Sequence, residues 1–137
     1  MNEGIMRWSS DAMYGGKLIA HQSVKDRVVD DIASQKNGGS ELLGQPLLII
    51  DTAGSLMHEG METKQPKLGG VSESKFNEGE ADLVVIMVKE LINDLGLKVA
   101  DIGVISPYNA QVNLIKKLLR ESFPEQTLPE ISTVDGF

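Results

Sequence analysis

DIGVISPYNAQVNLIKKLL, residues 101–119, changes periodicity in mid-course. Ile102 to Ser106 is a short apolar run of the kind buried in a parallel sheet, whereas Val112, Ile115, Leu118 and Leu119 recur at helical spacing. Pro107 cannot donate to a sheet ladder and holds its predecessor extended. The strand therefore ends at Ser106, and a helix starts just beyond, with Asn109 suited to cap it. A buried strand feeding a helix is the opening of a βαβ unit, and EISTV, residues 130–134, supplies its second strand.

Upstream, NEGEADLVVIMVKELINDLG, residues 77–96, offers Asn77 as N-cap with Glu80 three positions on, which predicts a reciprocal capping box, and Gly96 as a left-handed stop. PLLIID, residues 46–51, is a continuous apolar run that predicts a strand covered on both faces. Residues 52–76 are rich in Gly, Lys, Glu and Ser with little periodicity, and predict a long surface loop. Strand, loop, helix, strand, helix, strand is the βαβαβ alternation of a doubly wound parallel sheet, so the predicted class is α/β, with residues 46–137 as its βαβαβ portion.

Residues 1–45 form a helical lead-in to the same domain. Ile5, Trp8, Ala12 and Met13 share one face of a helix over 2–14 that Gly15-Gly16 stops. Val24, Val28, Val29 and Ile32 predict a second helix capped by Ser23, and SQKNGGSELLGQ, residues 34–45, reads as a loop.

Composition narrows the function. A chain of 137 residues, 41% hydrophobic and 24% charged, fits one globular domain that buries roughly 65 to 70% of its unfolded surface. The net charge of −7 opposes phosphate backbones, so any nucleic-acid contact is local. The absence of cysteine excludes disulfides and thiolate zinc sites. His21 and His58 sit in polar surroundings without acidic partners at ligand spacing, so no metal site is expected. No apolar run reaches about 18 residues and no basic-then-apolar leader is present, so neither a membrane partner nor secretion is expected.

In open parallel sheets ligands gather beyond the carboxyl ends of the strands. That points to Asp51-Thr52, to Ser106 through Gln111, and to Thr133 through Phe137. LLIIDTAG, ending one strand in an acid, invites a GTPase-like reading, but the sequence holds no G-x-x-x-x-G-K-[ST] to cradle the phosphates. The Ser106–Gln111 junction serves equally as a plain strand-to-helix turn or as an anion site, the latter because helix amides, the Ser106 hydroxyl and Tyr108 face the sheet edge.

IGVISPYNAQVNLI followed by EISTVDGF resembles motifs IV and V of superfamily 1 helicases of the up-frameshift type. IMRWSSDAMYGGKLIAHQSV and LLIIDTAG extend the resemblance over nearly the whole chain, weakest from Ser55 to Lys75. It implies a RecA-like parallel sheet with flanking helices, of the P-loop NTPase type, forming an incomplete second helicase domain. It implies an ATP-dependent enzyme moving 5' to 3' on single-stranded RNA or DNA, located in the cytoplasm or nucleus, with the first RecA-like domain of the same protein as partner. ATP and Mg2+ are cofactors of the complete enzyme, none of them bound by this chain alone. The phosphate loop and the Asp-Glu magnesium site belong to the first domain in that family. Met1 matches the last letter of the Gln-Tyr-Arg-Met block, and Phe137 precedes the expected Gln-Gly-Arg-Glu run. No catalytic residue is therefore expected within these residues, and the chain alone is expected to be inactive.

By the same resemblance Ser106, Pro107, Tyr108, Asn109 and Gln111 lie along motif IV, and Ser132, Thr133, Val134, Asp135 and Gly136 along motif V. Their implied task is to grip the nucleic-acid backbone and relay cleft closure to it. The hydroxyls of Ser106 and Thr133, with nearby backbone amides, donate to phosphate without reading a base. Tyr108 and Gln111 equally hold the turn together, and Asp135, an anion, orders its loop or faces a cation. The other readings are a non-catalytic protein-interaction or nucleic-acid-binding module, with 52–76 as a partner loop, and a GTPase-like domain.

Overall fold

The computed structural model describes residues 1–35, 43–64 and 72–137. The 36–42 part of the expected loop and the 65–71 part of the expected excursion lie outside the described residues. The chain divides into two units, Met1–Asp51 and Thr52–Phe137.

In the first unit the expected helix forms as α1, Glu3–Tyr14. Asn2 caps it by accepting from the Gly4 amide at 2.8 Å, and Gly15 ends it in the left-handed region at φ 58°. Ser10 is the buried residue of this helix, its hydroxyl oxygen accepting from the Leu18 amide. The anticipated apolar face is exposed instead, Trp8 at 69% and Met13 at 67%.

The second expected helix does not form. Residues 22–26 are turns, and only Val29–Asp31 make a short 3-10 turn. Local bonds outcompete the helix: the Ser23 hydroxyl lies 2.9 Å from Nδ1 of His21, and the Asp31 carboxylate accepts the Val28 amide at 2.9 Å. Three β-branched valines lower the helical alternative further. The predicted strand at 46–51 is also absent, with Leu47 57% and Ile49 80% exposed. An isolated extended run has no ladder to join, and among the described residues no strand pairs with it.

The second unit holds the architecture read from residues 101–134. A parallel pair, β3 (Gly103–Ile105) and β4 (Glu130–Ser132), is bridged by helix α3 (Asn109–Ser122). Register is Gly103 to Glu130, Val104 to Ile131 and Ile105 to Ser132. The described parallel sheet thus has two strands rather than the three expected.

The expected loop contains an antiparallel hairpin, β1 (Glu59–Lys64) with β2 (Ser72–Asn77), whose register pairs Glu62 with Ser74 and Gly60 with Phe76. The Phe76 ring packs across the Cα of Gly60, a close approach open only to glycine. Helix α2, Glu78–Lys89, follows directly and continues through a wider π turn, Glu90–Asp94, to the left-handed Gly96 at φ 64°.

The Asn77 side chain caps α2 as expected, accepting from the Glu80 amide at 3.1 Å. The return arm of the box is missing. Glu80 instead accepts from the Thr52 hydroxyl at 3.0 Å, and the Asn77 amide donates to Gln111.

The core lies between α2, α3 and β4. Ala81, Val85 and Val88 from one helix meet Val112, Ile115 and Leu119 from the other, with Phe123 and Ile131 completing the cluster. The spacings are four and three residues on α2, and three and four on α3, each a single helical stripe. Leu118 is only partly buried at its margin. No described helix is long and apolar enough to cross a membrane.

Candidate nucleic-acid interface

Parallel pairing sends both strands out at one edge, and the Ser106 amide donates to the Ser132 carbonyl at 3.2 Å. The turns that follow β3 and β4 therefore share a rim. On one side are Ser106, Pro107 and Tyr108; on the other Ser132 and Thr133 lead into a 3-10 turn, Val134–Gly136, closed by the Gly136 amide on the Thr133 carbonyl at 2.9 Å. The Ser132 hydroxyl occupies the space that a Cβ on Gly136 would need. Any other residue there displaces that hydroxyl.

The two turns differ in exposure. Ser106 is 7% exposed and its oxygen accepts the Tyr108 amide at a long 3.4 Å, while Tyr108 itself is 41% exposed. Thr133 is half-buried, and Val134 and Asp135 stand in solvent. The rim thus presents backbone and the half-buried Thr133 hydroxyl, with the Ser106 hydroxyl largely covered. Lys75, near Tyr108, is bound to Glu59 at 2.9 Å; that hydrogen bond, then the Glu59 charge and the Tyr108 oxygen, hold its pKa above the ordinary lysine value. Being exposed, the pair adds little to stability.

Asn109 is not the cap. It is the first residue of α3, and Tyr108 holds the cap position without a side-chain bond. The residue that sequence reasoning missed is Ser74 on β2, whose hydroxyl accepts the Ala110 amide of α3 at 2.9 Å. One of the amides expected to face an anion is therefore already bonded. No local signal marks Ser74, because the contact spans 36 residues.

Gln111 is 8% exposed, and its amide is used in full on Asn77: Oε1 accepts the backbone N–H at 2.7 Å, and Nε2 donates to the carbonyl at 3.2 Å. These bonds tie the start of α3 to the junction of β2 and α2. Among the described residues no group of three His, Cys, Asp or Glu is placed to hold a metal ion, and the sequence holds no G-x-x-x-x-G-K-[ST] phosphate loop. Thr52, the hydroxyl of the GTPase-like segment, is engaged with Glu80.

Comparison with known proteins adds an independent line. A family described as an AAA domain matches residues 1–137. The chain is 41% identical over 137 residues to the DNA-binding protein SMUBP-2 of Rattus norvegicus, a match covering 100% of this chain and 13% of that protein. It is 38% identical over 146 residues to the DNA polymerase alpha-associated DNA helicase A of Saccharomyces cerevisiae, covering 100% of this chain and 20% of that protein. An ATP-dependent helicase of Methanocaldococcus jannaschii is 32% identical over 142 residues, again across 100% of this chain and 19% of its own length. The chain therefore spans a fifth or less of these relatives.

Proposed function

We propose, because the chain belongs to the AAA domain family that covers residues 1–137 and is shared with superfamily 1 helicases, that it supplies one hold on single-stranded nucleic acid in an ATP-dependent helicase. In this reading residues 1–137 are part of the second RecA-like domain, and ATP is hydrolysed against the first domain of the same protein. Movement runs 5' to 3', with RNA or DNA as the track. The chain alone hydrolyses no ATP.

The observation that carries the reading is the shared rim. Ser106 and Ser132 are joined at 3.2 Å, so the Ser106 and Thr133 hydroxyls sit on adjacent strand ends, where a sugar-phosphate chain crossing the sheet edge meets both. Ser132, Pro107, Asn109 and Val134 shape the two turns. Gln111 acts at one remove, by fixing the start of α3.

Hydroxyl contacts are neutral, so each contributes about 0.5 to 1.5 kcal/mol and releases no counterion. Ser106→Ala or Thr133→Ala in the helicase carrying this chain is expected to weaken oligonucleotide binding by roughly two- to tenfold. The slope of affinity against salt stays as in the parent, and nucleotide affinity is unchanged. Fluorescence anisotropy with a labelled single strand at three salt concentrations measures the first two, and a fluorescent ATP analogue the third. Loss of nucleotide affinity alone overturns the assignment of these two residues.

A further inference from the structure

We infer that Phe137 is a positioning residue for the strand hold: its ring, seated on Gly103 of β3, keeps the turn after β4 closed and so fixes the Thr133 hydroxyl at the rim. This role presupposes the strand-holding reading above and accounts for the geometry of that hold.

The turn is slight by itself. Val134–Gly136 make one 3-10 turn, a form with poorer hydrogen-bond geometry than an α-helix, and its closing bond runs from the Gly136 amide to the Thr133 carbonyl at 2.9 Å. Val134, Asp135 and Gly136 are exposed, so water competes for that bond. Thr133 takes the cap position without a side-chain bond to the turn, which leaves its hydroxyl unspent on capping. Phe137 holds the far end. A Cβ on Gly103 would lie 3.1 Å from Cζ and 3.3 Å from Cε1 of the Phe137 ring, so glycine is what lets the ring settle this close to the strand. Val104 packs against the core, so Gly103 and Ile105 face the other way, and the ring lies on the side of the sheet away from the helices.

The link from ring to hydroxyl runs through Gly136. The Ser132 hydroxyl fills the place of its absent Cβ, and Oγ1 of Thr133 would lie 3.4 Å from a Cβ there. Both hydroxyls therefore close on the residue next to Phe137. With the ring off Gly103, the wide backbone freedom of Gly136 lets the turn open, and the Thr133 hydroxyl loses the neighbour that fixes it. A neutral hydroxyl holds phosphate only at short distance and good angle, so a displaced one forfeits the contact. The ring itself is not placed on the strand: Gly103 lies three residues before Ser106, about 10 Å back from the rim.

The test is a double-mutant cycle in the helicase carrying this chain, read by fluorescence anisotropy with a labelled single strand. Phe137→Ala is expected to weaken strand binding by about three- to tenfold, within the range given for Thr133→Ala. In a Thr133→Ala background the same change is expected to cost less than about 1.5-fold, because the contact it positions is already gone. Gly103→Val puts a side chain where the ring lies, at a strand position that suits valine, and is expected to match Phe137→Ala with the ring still present. Phe137→Leu keeps an apolar side chain over Gly103 and is expected to restore most of the affinity.

Equal losses from Phe137→Ala in the two backgrounds mean that the ring acts on the strand directly, and overturn the positioning role. Full affinity in Phe137→Ala while Thr133→Ala loses it also overturns that role, and leaves the rim standing. If Thr133→Ala costs nothing, the strand-holding reading fails at that residue, and Phe137 has no hydroxyl to position. Should Phe137→Ala not fold, Gly103→Val carries the cycle: its loss is expected to vanish in the Thr133→Ala background, and a loss that persists there overturns the role.

Discussion

Replacing Leu119 by alanine is expected to lower the unfolding free energy of the Thr52–Phe137 unit by about 3 to 4 kcal/mol. Leu119 is 0% exposed and belongs to the cluster in which α3 meets α2 and β4, so truncation removes buried methyl groups and leaves a cavity within that cluster. The loss is a large fraction of the roughly 5 to 15 kcal/mol available to a domain. Urea unfolding followed by circular dichroism measures it. Ile86→Ala serves as the reference, because Ile86 is 59% exposed on α2 and its truncation is expected to cost about 0.5 kcal/mol or less. A Leu119 loss below about 1 kcal/mol contradicts the core described for this unit.

The second large effect is expected at Gln111. Its amide satisfies both backbone groups of Asn77, and only one orientation of the amide does so, oxygen to N–H and NH2 to carbonyl. Gln111→Ala leaves a donor and an acceptor stranded in a buried place, at about 1 to 3 kcal/mol for each. The expected destabilisation is therefore about 2 to 4 kcal/mol. Gln111→Glu keeps an acceptor for the N–H while setting a carboxylate against the Asn77 carbonyl, and should recover part of that loss at low pH, where the acid is protonated and donates.

Hydrogen exchange at the Asn77 amide gives the local readout: protection drops in Gln111→Ala and partly returns in Gln111→Glu at low pH. Should Gln111→Ala weaken strand binding with neither stability nor exchange altered, Gln111 touches the strand directly, and the clamp described here is not its role.

The parts of the fold legible in the sequence are those fixed within a few residues. Asn77 caps α2, Gly15 and Gly96 stop helices in the left-handed region, and Pro107 divides β3 from α3, each through its own backbone preference. Because β3 and β4 run parallel, the common edge for Ser106 and Thr133 followed from the order of elements alone.

The hairpin was not legible. EGMETK and SESKFN have few β-formers, and what pairs them is non-local: Lys75 on Glu59, Phe76 over Gly60. PLLIID erred in the opposite sense, having every local mark of a buried strand where the described residues offer no neighbouring strand. Between 23 and 32 the pattern suggested a helix, but side chains of Asp31 and His21 claimed the backbone first. At the candidate site the same division holds. The turn residues were marked by sequence, while Ser74 entered only through its bond to the Ala110 amide of α3.

The hold of Ser74 on α3 changes what a deletion in this region can report. Side chains alternate faces along a strand, so slipping β2 by a single position would carry Ser74 to the opposite side and release the Ala110 amide. Most surface excursions absorb added or lost residues without trouble. Here the length of the segment is tied to how a helix thirty-six positions away begins, and shortening it to look for a lost binding partner would also loosen that helix. Substitutions that keep the spacing are the cleaner probe of what this edge of the molecule recognises.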